Sequence, residues 1–289
     1  MAEDHCGVTQ AMGLLGDAWT VLVLRDVARG RTRFEQLVAA SGISRKVLAA
    51  RLRALEEAEV LAREVYQTRP TRHDYTLTDR GRALLPVLAG LQEWGDTWLL
   101  GDGTTSATAD PSSAEALRVA DLVGTAVPPL SRDPLAAASC TVLYCYPGTA
   151  LAGIDGIPGG PGCTLESCTY RDRLADFAAL GARVVGVSTQ LPEEQARFAA
   201  ESRIQFPLVS DADLSLTTAL RLPTFRLQGV TRLKRLTLVV DQERVVRGTL
   251  FPIRDVTGSV EDALALVRSV QPSVQREVHD VQPDQPVRG

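Results

Sequence analysis

Residues 158–172 read Pro-Gly-Gly-Pro-Gly-Cys-Thr-Leu-Glu-Ser-Cys-Thr-Tyr-Arg-Asp and determine how the second half of the chain folds. The prolines and glycines exclude a helix before Gly162, whereas apolar residues recur at a helical period over residues 164–180. Cys163 is therefore expected in the first turn of a helix, where free backbone N–H groups and the helix dipole favour an anion. This position predicts a depressed pKa for the Cys163 thiol, the property that makes a cysteine nucleophilic.

A second cysteine, Cys168, follows five residues later. In an intact helix the two Cα atoms lie roughly 8 to 9 Å apart on different faces, whereas a disulfide requires less than about 7 Å. If Cys163 and Cys168 pair, the first turns of the helix must unwind, so oxidation would produce a local conformational change. The alternative is that both residues are buried structural cysteines.

Residues 162–172 resemble the active-site segment of atypical two-cysteine peroxiredoxins of the Q type, in the AhpC/TSA family. Further matching segments occur in the family's order, at residues 142–147, 184–188, 206–211 and 235–241. The resemblance implies a thioredoxin-like fold and the reduction of peroxides with a thiol reductant such as thioredoxin. It also implies that Cys163 is the peroxidatic cysteine, that Cys168 is the resolving cysteine and that Arg235 stabilises the thiolate. Glu166 lies inside the matching segment and completes the set of candidate catalytic residues.

One position departs from the family pattern. Peroxiredoxins carry Thr or Ser three residues before the peroxidatic cysteine, where this chain has Gly160. Either Thr149 or Thr164 is a candidate for the missing hydroxyl, and spacing does not decide between them. The departure keeps open a domain that binds a small effector without turning peroxide over.

Composition bounds the possibilities further. A chain of 289 residues is long enough for two domains, and its net charge of -4 argues against coating nucleic acid along its whole length. Five cysteines do not suggest a secreted disulfide framework, and neither a signal peptide nor a membrane span is evident. A reducing cytoplasm fits best. With three histidines and no Cys-x-x-Cys pair, the sequence predicts no metal site and no cofactor.

The first hundred residues show a different pattern. Apolar periodicity predicts helices over residues 8–29, 32–38 and 45–58, with Thr32 and Glu35 spaced as a capping box and a tight turn at residues 41–44. Two strands, at residues 60–66 and 73–78, flank a basic hairpin tip. Helix, turn, helix and basic hairpin together predict a winged helix.

Charge in this region suggests a surface that faces phosphates, although a solvated basic face is the alternative. Only Asp26 and Glu35 are acidic between residues 25 and 53, against eight basic residues: Arg25, Arg29, Arg31, Arg33, Arg45, Lys46, Arg51 and Arg53. From Cys6 to about Trp98 the chain resembles the HxlR branch of the MarR-like regulators. The matching segments are residues 15–20, 24–26, 33–37, 43–48, 51–56 and 75–78.

The HxlR resemblance implies that the helix from Ser44 enters the major groove of double-stranded DNA. Ser44, Arg45 and Lys46 are then candidates for base edges and nearby phosphates. Arg51 and Arg53 are expected to contact phosphates or to form structural salt bridges. The wing residues are expected to meet the backbone or the minor groove; they are Arg69 and Arg72.

Two further features bear on regulation. Cys6 matches the position of a recurrent redox or electrophile sensor in the HxlR branch, although a packing cysteine at a dimer contact is the alternative. Residues 79–100 predict a helix with a wide apolar stripe, and regulators of this branch dimerise through terminal helices. A homodimer would fit a palindromic operator.

The sequence thus predicts a winged helix-turn-helix domain of α+β class over residues 1–100 and an α/β, thioredoxin-like domain over 118–272. A flexible linker is expected over 101–117 and a disordered tail over 273–289. The favoured function is a redox-responsive transcriptional regulator that senses peroxides, and can reduce them, through Cys163 and Cys168. The alternatives are a thiol peroxidase that uses the winged helix for dimerisation, and a regulator whose inactive peroxiredoxin-like domain binds an effector.

Overall fold

The fold was analysed in a computed structural model that describes residues 6–100, 106–130, 132–135 and 140–279. The chain divides into two units. The N-terminal unit comprises Met1–Gly103, Val127–Ser131 and Asp211–Leu222. The C-terminal unit comprises Thr104–Ala126, Arg132–Ser210 and Pro223–Gly289.

The N-terminal unit contains the predicted winged helix. Its helices are α1 (Gly7–Leu15), α2 (Ala18–Ala28), α3 (Phe34–Ser41), α4 (Arg45–Glu57), α5 (Asp79–Arg82) and α6 (Leu85–Trp98). Its hairpin strands are β1 (Leu61–Thr68) and β2 (Thr71–Leu77), which pair antiparallel. The strands extend further toward the tip than predicted, so Arg72 lies within β2 opposite Gln67.

Local signals explain where these helices begin and end. Asp17 caps α2, because its Oδ1 atom accepts from the backbone N–H of Trp19 at 2.9 Å. Gly42 ends α3 in the left-handed conformation. The predicted capping box at Thr32 does not form, because the Thr32 hydroxyl donates to Asp74 instead. Helix α3 begins at Phe34, two residues after the predicted start at Thr32.

A segment distant in sequence completes the N-terminal unit. Helix α11 (Ser215–Leu220) packs against α2 and α6, and every residue of α11 is buried. The Asp211 carboxylate accepts from the backbone N–H groups of Leu216 and Thr217, and Arg221 forms an ion pair with Asp96. The apolar surface of α2 and α6 is therefore covered in part by residues from the second half of the chain.

The predicted linker is structured over much of its length. Residues 101–105 lie outside the described residues, but residues 106–117 pack in the C-terminal unit and include most of α7 (Ala114–Ala120). Glu115 is buried and forms an ion pair with Lys234. The linker prediction therefore fails over residues 106–117, because a buried charge pair and backbone hydrogen bonds fix this segment.

The described part of the C-terminal unit is built on a mixed five-stranded sheet with the order β5-β4-β3-β8-β9. The strands are β3 (Cys140–Cys145), β4 (Ala182–Ser188), β5 (Leu208–Ser210), β8 (Leu236–Asp241) and β9 (Val246–Leu250). Strand β3 pairs parallel with β4 and antiparallel with β8. Strands β6 (Thr224–Leu227) and β7 (Val230–Leu233) form a separate hairpin.

Helices flank the sheet at α8 (Cys163–Asp172), α9 (Leu174–Ala179), α10 (Pro192–Ser202) and α12 (Gly258–His279). Helix α12 continues past residue 273, where the sequence predicted a disordered tail; residues 280–289 lie outside the described residues. Among the described helices none is by itself long and apolar enough to cross a membrane. Within the described part of the chain, α1 and α2 are long and apolar enough only when counted as one segment, and their axes are bent by 80° relative to each other.

Candidate active site and nucleic-acid interface

The predicted nucleophile lies at the first position of α8. Gly162, with φ +105°, precedes it as the N-cap, which requires the conformational freedom of glycine. Cys163 is 5% exposed and its thiol donates to the carbonyl oxygen of Gly160 at 3.8 Å. The structure therefore confirms the helix start that the sequence predicted, and it places the thiol in a closed site.

A buried guanidinium faces this thiol. Arg235 donates from Nη2 to Cys163 Sγ at 3.5 Å, and the same nitrogen donates to the carbonyl oxygens of Gly160 at 3.1 Å and Pro161 at 3.0 Å. Its Nη1 atom pairs with Oε2 of Glu166, which is fully buried. Arg235 thus joins the loop, the thiol and the first turn of α8 into one network.

The charges in this network oppose one another. Burial raises the pKa of the Cys163 thiol above its ordinary value, the Arg235 guanidinium lowers it, and the Glu166 carboxylate raises it again. The depressed pKa that the sequence predicted is therefore wrong for this closed conformation, because the helix-terminus argument omits the loss of solvent. Burial also raises the pKa of Glu166 to about 7, although Arg235 opposes the shift.

The second cysteine lies on the same intact helix. Cys168 is partly exposed, both thiols are free, and the side chain of Arg171 hydrogen-bonds to Cys168. The structure does not bring the two sulfur atoms into a disulfide. Pairing requires α8 to unwind.

Gly160 occupies a position that has no room for a side chain. A Cβ atom there would lie 2.7 Å from the carbonyl oxygen of Ile154 and 2.8 Å from its Cδ1 atom. Of the two candidate hydroxyls, Thr164 is exposed, whereas Thr149 is buried and follows Gly148, whose backbone hydrogen bond lowers the pKa of the Cys163 thiol.

The other two cysteines of this unit lie within strand β3, as expected for core residues. Both Cys140 and Cys145 are buried. Burial and the nearby Asp241 carboxylate raise the pKa of Cys140 to about 11, so its thiol is protonated near neutral pH.

Of the six basic residues predicted to contact DNA, two form ion pairs, and the other four are exposed. Arg51 donates to Asp17 at 2.9 Å, and Arg45 forms a bidentate pair with Glu35, its two donors at 2.8 and 2.6 Å. The Ser44 hydroxyl caps α4 by accepting from Val47. The exposed group consists of Lys46, Arg53, Arg69 and Arg72.

Cys6 lies immediately before α1 and is exposed. Hydrogen bonds from the backbone and side chain of Thr9 and the backbone of Val8 lower the pKa of its thiol. His5, which the sequence places beside it, lies outside the described residues.

Comparisons with known proteins find two separate matched regions, the second of which includes residues 211–222 of the N-terminal unit. The protein-family model for the HxlR-like helix-turn-helix matches residues 14–102, and the AhpC/TSA family model matches residues 136–249. An uncharacterised HTH-type transcriptional regulator of Synechocystis sp. is 41% identical over 95 residues, which are 32% of this chain and 70% of that protein. A putative peroxiredoxin of Mycobacterium tuberculosis is 32% identical over 130 residues, covering 45% of this chain and 79% of that protein.

This chain is a fusion of an HxlR-like helix-turn-helix domain and an AhpC/TSA-family domain.

A further relative is an uncharacterised HTH-type transcriptional regulator of Mycobacterium bovis, which is 42% identical to this chain over 92 residues. Those residues are 32% of this chain and span 58% of the length of that relative. The crystal structure of the peroxidoxin BcpB from Mycobacterium tuberculosis is 31% identical and covers 46% of this chain and 81% of its own, with a TM-score of 0.40.

Several contacts around the candidate site of the AhpC/TSA-family domain were not predicted from the sequence. Gln190 bonds Thr149, and the Lys234 side chain binds Thr108 and Glu115. No spacing rule predicts these contacts, because each joins segments more than 40 residues apart in sequence. The available signal is that Lys234 adjoins Arg235, directly before the apolar residues that begin at Leu236.

Proposed function

We propose that this protein is a redox-responsive transcriptional regulator. Its HxlR-like domain binds double-stranded DNA, and its AhpC/TSA-family domain senses peroxides through Cys163. The observation that carries the proposal is the hydrogen bond from the buried Arg235 guanidinium to Cys163 at the first turn of a helix, in a chain that also carries a helix-turn-helix. Burial favours the Cys163 thiol, but the Arg235 guanidinium and the helix N–H groups oppose that effect and favour the thiolate, which is the reactive form.

The chemistry proceeds in two steps. The Cys163 thiolate attacks one peroxide oxygen, an S–O bond forms as the O–O bond breaks, and the departing oxyanion takes up a proton to leave as water or an alcohol. Sulfur is oxidised by two electrons and the peroxide is reduced. The sulfenic acid then condenses with the Cys168 thiol to form a disulfide and release water. A dithiol reductant such as thioredoxin restores both thiols and is itself oxidised to a disulfide.

DNA binding is assigned to the exposed basic residues of the HxlR-like domain. Lys46 on α4 is placed at the major groove, Arg53 at a phosphate, and the wing arginines Arg69 and Arg72 at the backbone or minor groove. Helix α6 presents exposed apolar residues that suit a second copy of the chain, among them Leu91, Trp94 and Trp98. The proposal therefore includes a homodimer on a palindromic operator, in a reducing cytoplasm.

The segment between the two matched regions supports coupling of redox state to DNA binding. We name residues 106–120 the connector. The Ser106 hydroxyl and the Ala107 backbone N–H both donate to the carbonyl oxygen of Pro158, at 3.1 and 2.9 Å, in the loop that leads to Cys163. The connector is thus bonded to the loop that must move when α8 unwinds.

A buried ion pair holds the other end of the connector. Lys234 Nζ donates to Glu115 at 2.6 Å and to the carbonyl oxygen of Thr108 at 3.4 Å. Lys234 precedes Arg235, so adjacent residues bind the connector and the thiol. Movement of the Cys163 loop is therefore expected to strain the connector, whose chain continues into the HxlR-like domain.

Stopped-flow consumption of hydrogen peroxide and of an organic hydroperoxide by the reduced protein tests the chemistry, with Cys163→Ser as control. A rate well above that of a free thiol and lost in the control supports the proposal. A rate equal to that of a free thiol contradicts peroxide sensing through Cys163 and favours the effector-binding alternative.

DNA binding tests the coupling, with operator fragments selected by the reduced protein from a random-sequence pool. Oxidised and reduced protein are expected to differ in affinity. Replacing the buried pair by Glu115→Gln with Lys234→Met, which leaves no unpaired charge, should reduce that difference while peroxide still reacts. The matched control removes the more exposed Arg244–Asp133 pair of the same unit by Arg244→Gln. Equal operator affinity of the two redox forms of the native protein would refute the coupling.

A further inference from the structure

A short buried segment passes directly beside the candidate thiol. We name residues 147–149 the strap; it follows β3, and all three of its residues are buried. A hydrogen bond from the Gly148 backbone lowers the pKa of the Cys163 thiol. Gly148 has φ +134°, and a Cβ atom at this position would lie 2.9 Å from the side-chain carbon Cδ of Gln190. A glycine is therefore required between the thiol and that side chain.

The amide of Gln190 holds the strap in place. Its Oε1 atom accepts from the Thr149 backbone N–H at 2.8 Å and lies 3.4 Å from the Thr149 hydroxyl, while its Nε2 atom donates to the Thr149 carbonyl oxygen at 3.0 Å. The Gln190 side chain thus accepts one hydrogen bond from the Thr149 backbone and donates one to it, as an adjacent β-strand does. No sequence motif indicated a role for Gln190.

Gln190 is itself fixed. It is 3% exposed, and its carbonyl oxygen accepts from the Ser210 hydroxyl at 2.6 Å. Its backbone N–H donates to the Ser188 hydroxyl at 3.4 Å. Since the residue is anchored at its backbone and shielded from water, its side-chain amide can hold the strap in a defined position.

We infer that Gln190 is a positioning residue for Cys163: its amide fixes the strap, whose Gly148 backbone hydrogen-bonds to the Cys163 thiol. This inference rests on the proposed reactivity of Cys163 and adds a residue to it. A fixed N–H donor beside a thiolate stabilises it most strongly in a buried site, because solvent does not compete and no reorganisation is needed. Gln190 does not touch the sulfur; it acts through Gly148 and Thr149.

The test uses the full chain with Gln190→Met, which keeps the side-chain volume and removes both amide hydrogen bonds. The matched control is Gln195→Met, because Gln195 is also a buried glutamine but donates to Ser188 and to the Val209 carbonyl oxygen and not to the strap. Two readouts are taken. One is the pH dependence of iodoacetamide alkylation at the Cys163 peptide, followed by mass spectrometry, and the other is the second-order rate with hydrogen peroxide.

Gln190→Met is expected to raise the midpoint of the Cys163 alkylation profile by about one pH unit and to slow the peroxide reaction about tenfold. Gln195→Met is expected to leave the midpoint in place, even if its melting temperature falls equally. An unchanged midpoint and rate in a folded Gln190→Met protein would overturn the inference and leave Gln190 a purely structural residue. If Gln190→Met does not fold, Gln190→Asn, which retains the amide but shortens its reach, is judged by the same two results.

Different results would contradict the proposed peroxide chemistry of Cys163 and the inferred role of Gln190. A native protein that consumes peroxide no faster than Cys163→Ser refutes the proposed chemistry. The alkylation midpoint is measured without peroxide, so it still decides whether Gln190 acts on the thiol.

Discussion

Arg235 donates a hydrogen bond from Nη2 to the sulfur of Cys163 across 3.5 Å, and both residues are buried. The same guanidinium also binds Glu166 and two loop carbonyl groups. The cation that favours the thiolate is therefore shared, and its effect on the thiol depends on what else it binds. The predictions for the active site follow from that sharing.

Arg235→Lys is expected to raise the pKa of Cys163 and to slow the peroxide reaction by about tenfold or more. Lysine keeps the charge but lacks the planar fork that reaches the sulfur, Glu166 and the loop together. The alkylation profile of Cys163 and stopped-flow kinetics measure both effects. Arg247→Lys is the control, since Arg247 pairs with Asp241 elsewhere on the sheet. Unaltered kinetics in Arg235→Lys would show that the fork is dispensable.

Glu166→Gln is expected to remove a pH dependence of stability. The pKa of Glu166 is raised from 4.5 to about 7, so the folded protein holds this proton more tightly than the unfolded chain does. The resulting stabilisation is complete below about pH 4.5 and is lost as the pH rises through about 7, with a magnitude of at most about 3 kcal/mol.

Hydrogen exchange of the α8 amides at pH 5 and pH 8, corrected for intrinsic exchange, measures this loss of stability. The native protein should exchange more readily at pH 8, and Glu166→Gln should show a smaller difference between the two pH values. Burial raises the pKa of Asp211 to about 6, so Asp211 also makes the protein less stable as the pH rises. It is present in both the native protein and the variant, so it does not affect the comparison between them. An identical difference in native and variant proteins would mean that Glu166 does not titrate in this range.

Cys168→Ser is expected to stop oxidation at the sulfenic acid of Cys163. Without the resolving thiol, dimedone should label Cys163 after one equivalent of peroxide, and the amides of residues 166–168 should stay protected from exchange. In the native protein the same treatment should yield a disulfide and loss of that protection, because α8 must unwind. Cys6→Ser is the control and should behave as the native protein. A disulfide that forms in Cys168→Ser would identify a different resolving cysteine.

Lys46→Ala is expected to weaken DNA binding more than Arg51→Ala does. Lys46 is exposed, whereas Arg51 is ion-paired with Asp17, the residue that caps α2. Loss of one phosphate contact should lower the salt-dependence slope of the affinity by about 1. Arg51→Ala should instead lower the melting temperature. Fluorescence anisotropy at several salt concentrations, with thermal melts of both variants, measures these effects. Weaker binding by Arg51→Ala at an unchanged melting temperature would reverse the assignment.

Glu35→Gln is expected to tighten DNA binding a few-fold at low salt. In the structure Glu35 accepts two hydrogen bonds from Arg45 and neutralises it, although both side chains are mostly exposed. Removing the carboxylate frees Arg45 for phosphate, and the gain should fade at high salt because exposed charges are screened. The comparison of affinities at low and high salt is the measurement. Tighter binding that persists at high salt would point to a cause other than charge.

Local patterns predicted much of this molecule. The glycines and prolines before Cys163 fixed the start of α8, and the periodicity of residues 8–58 indicated the helix-turn-helix. These features depend on neighbours in the sequence, so the sequence alone contains them. The pKa of Cys163 was predicted with the wrong sign because burial depends on the whole fold. The Gln190–Thr149 and Lys234–Glu115 contacts join distant segments and have no local signature.

The helix α11 illustrates the same limit from another side. Its surroundings could not be read from the residues that form it. Nothing in its sequence indicates that it belongs with α2 and α6 and not with the sheet that the neighbouring strands build.

The placement of α11 limits how the gene can be recombined. A fragment cut after residue 100 would leave the surfaces of α2 and α6 that α11 packs against open to water, and the remaining fragment would keep an apolar helix without its partners. An exchange of the DNA-binding portion between related proteins must therefore carry matching residues at 211–222. A substitution in α2 or α6 where they contact α11 is therefore expected to require a compensating substitution in α11, which lies in the second half of the chain.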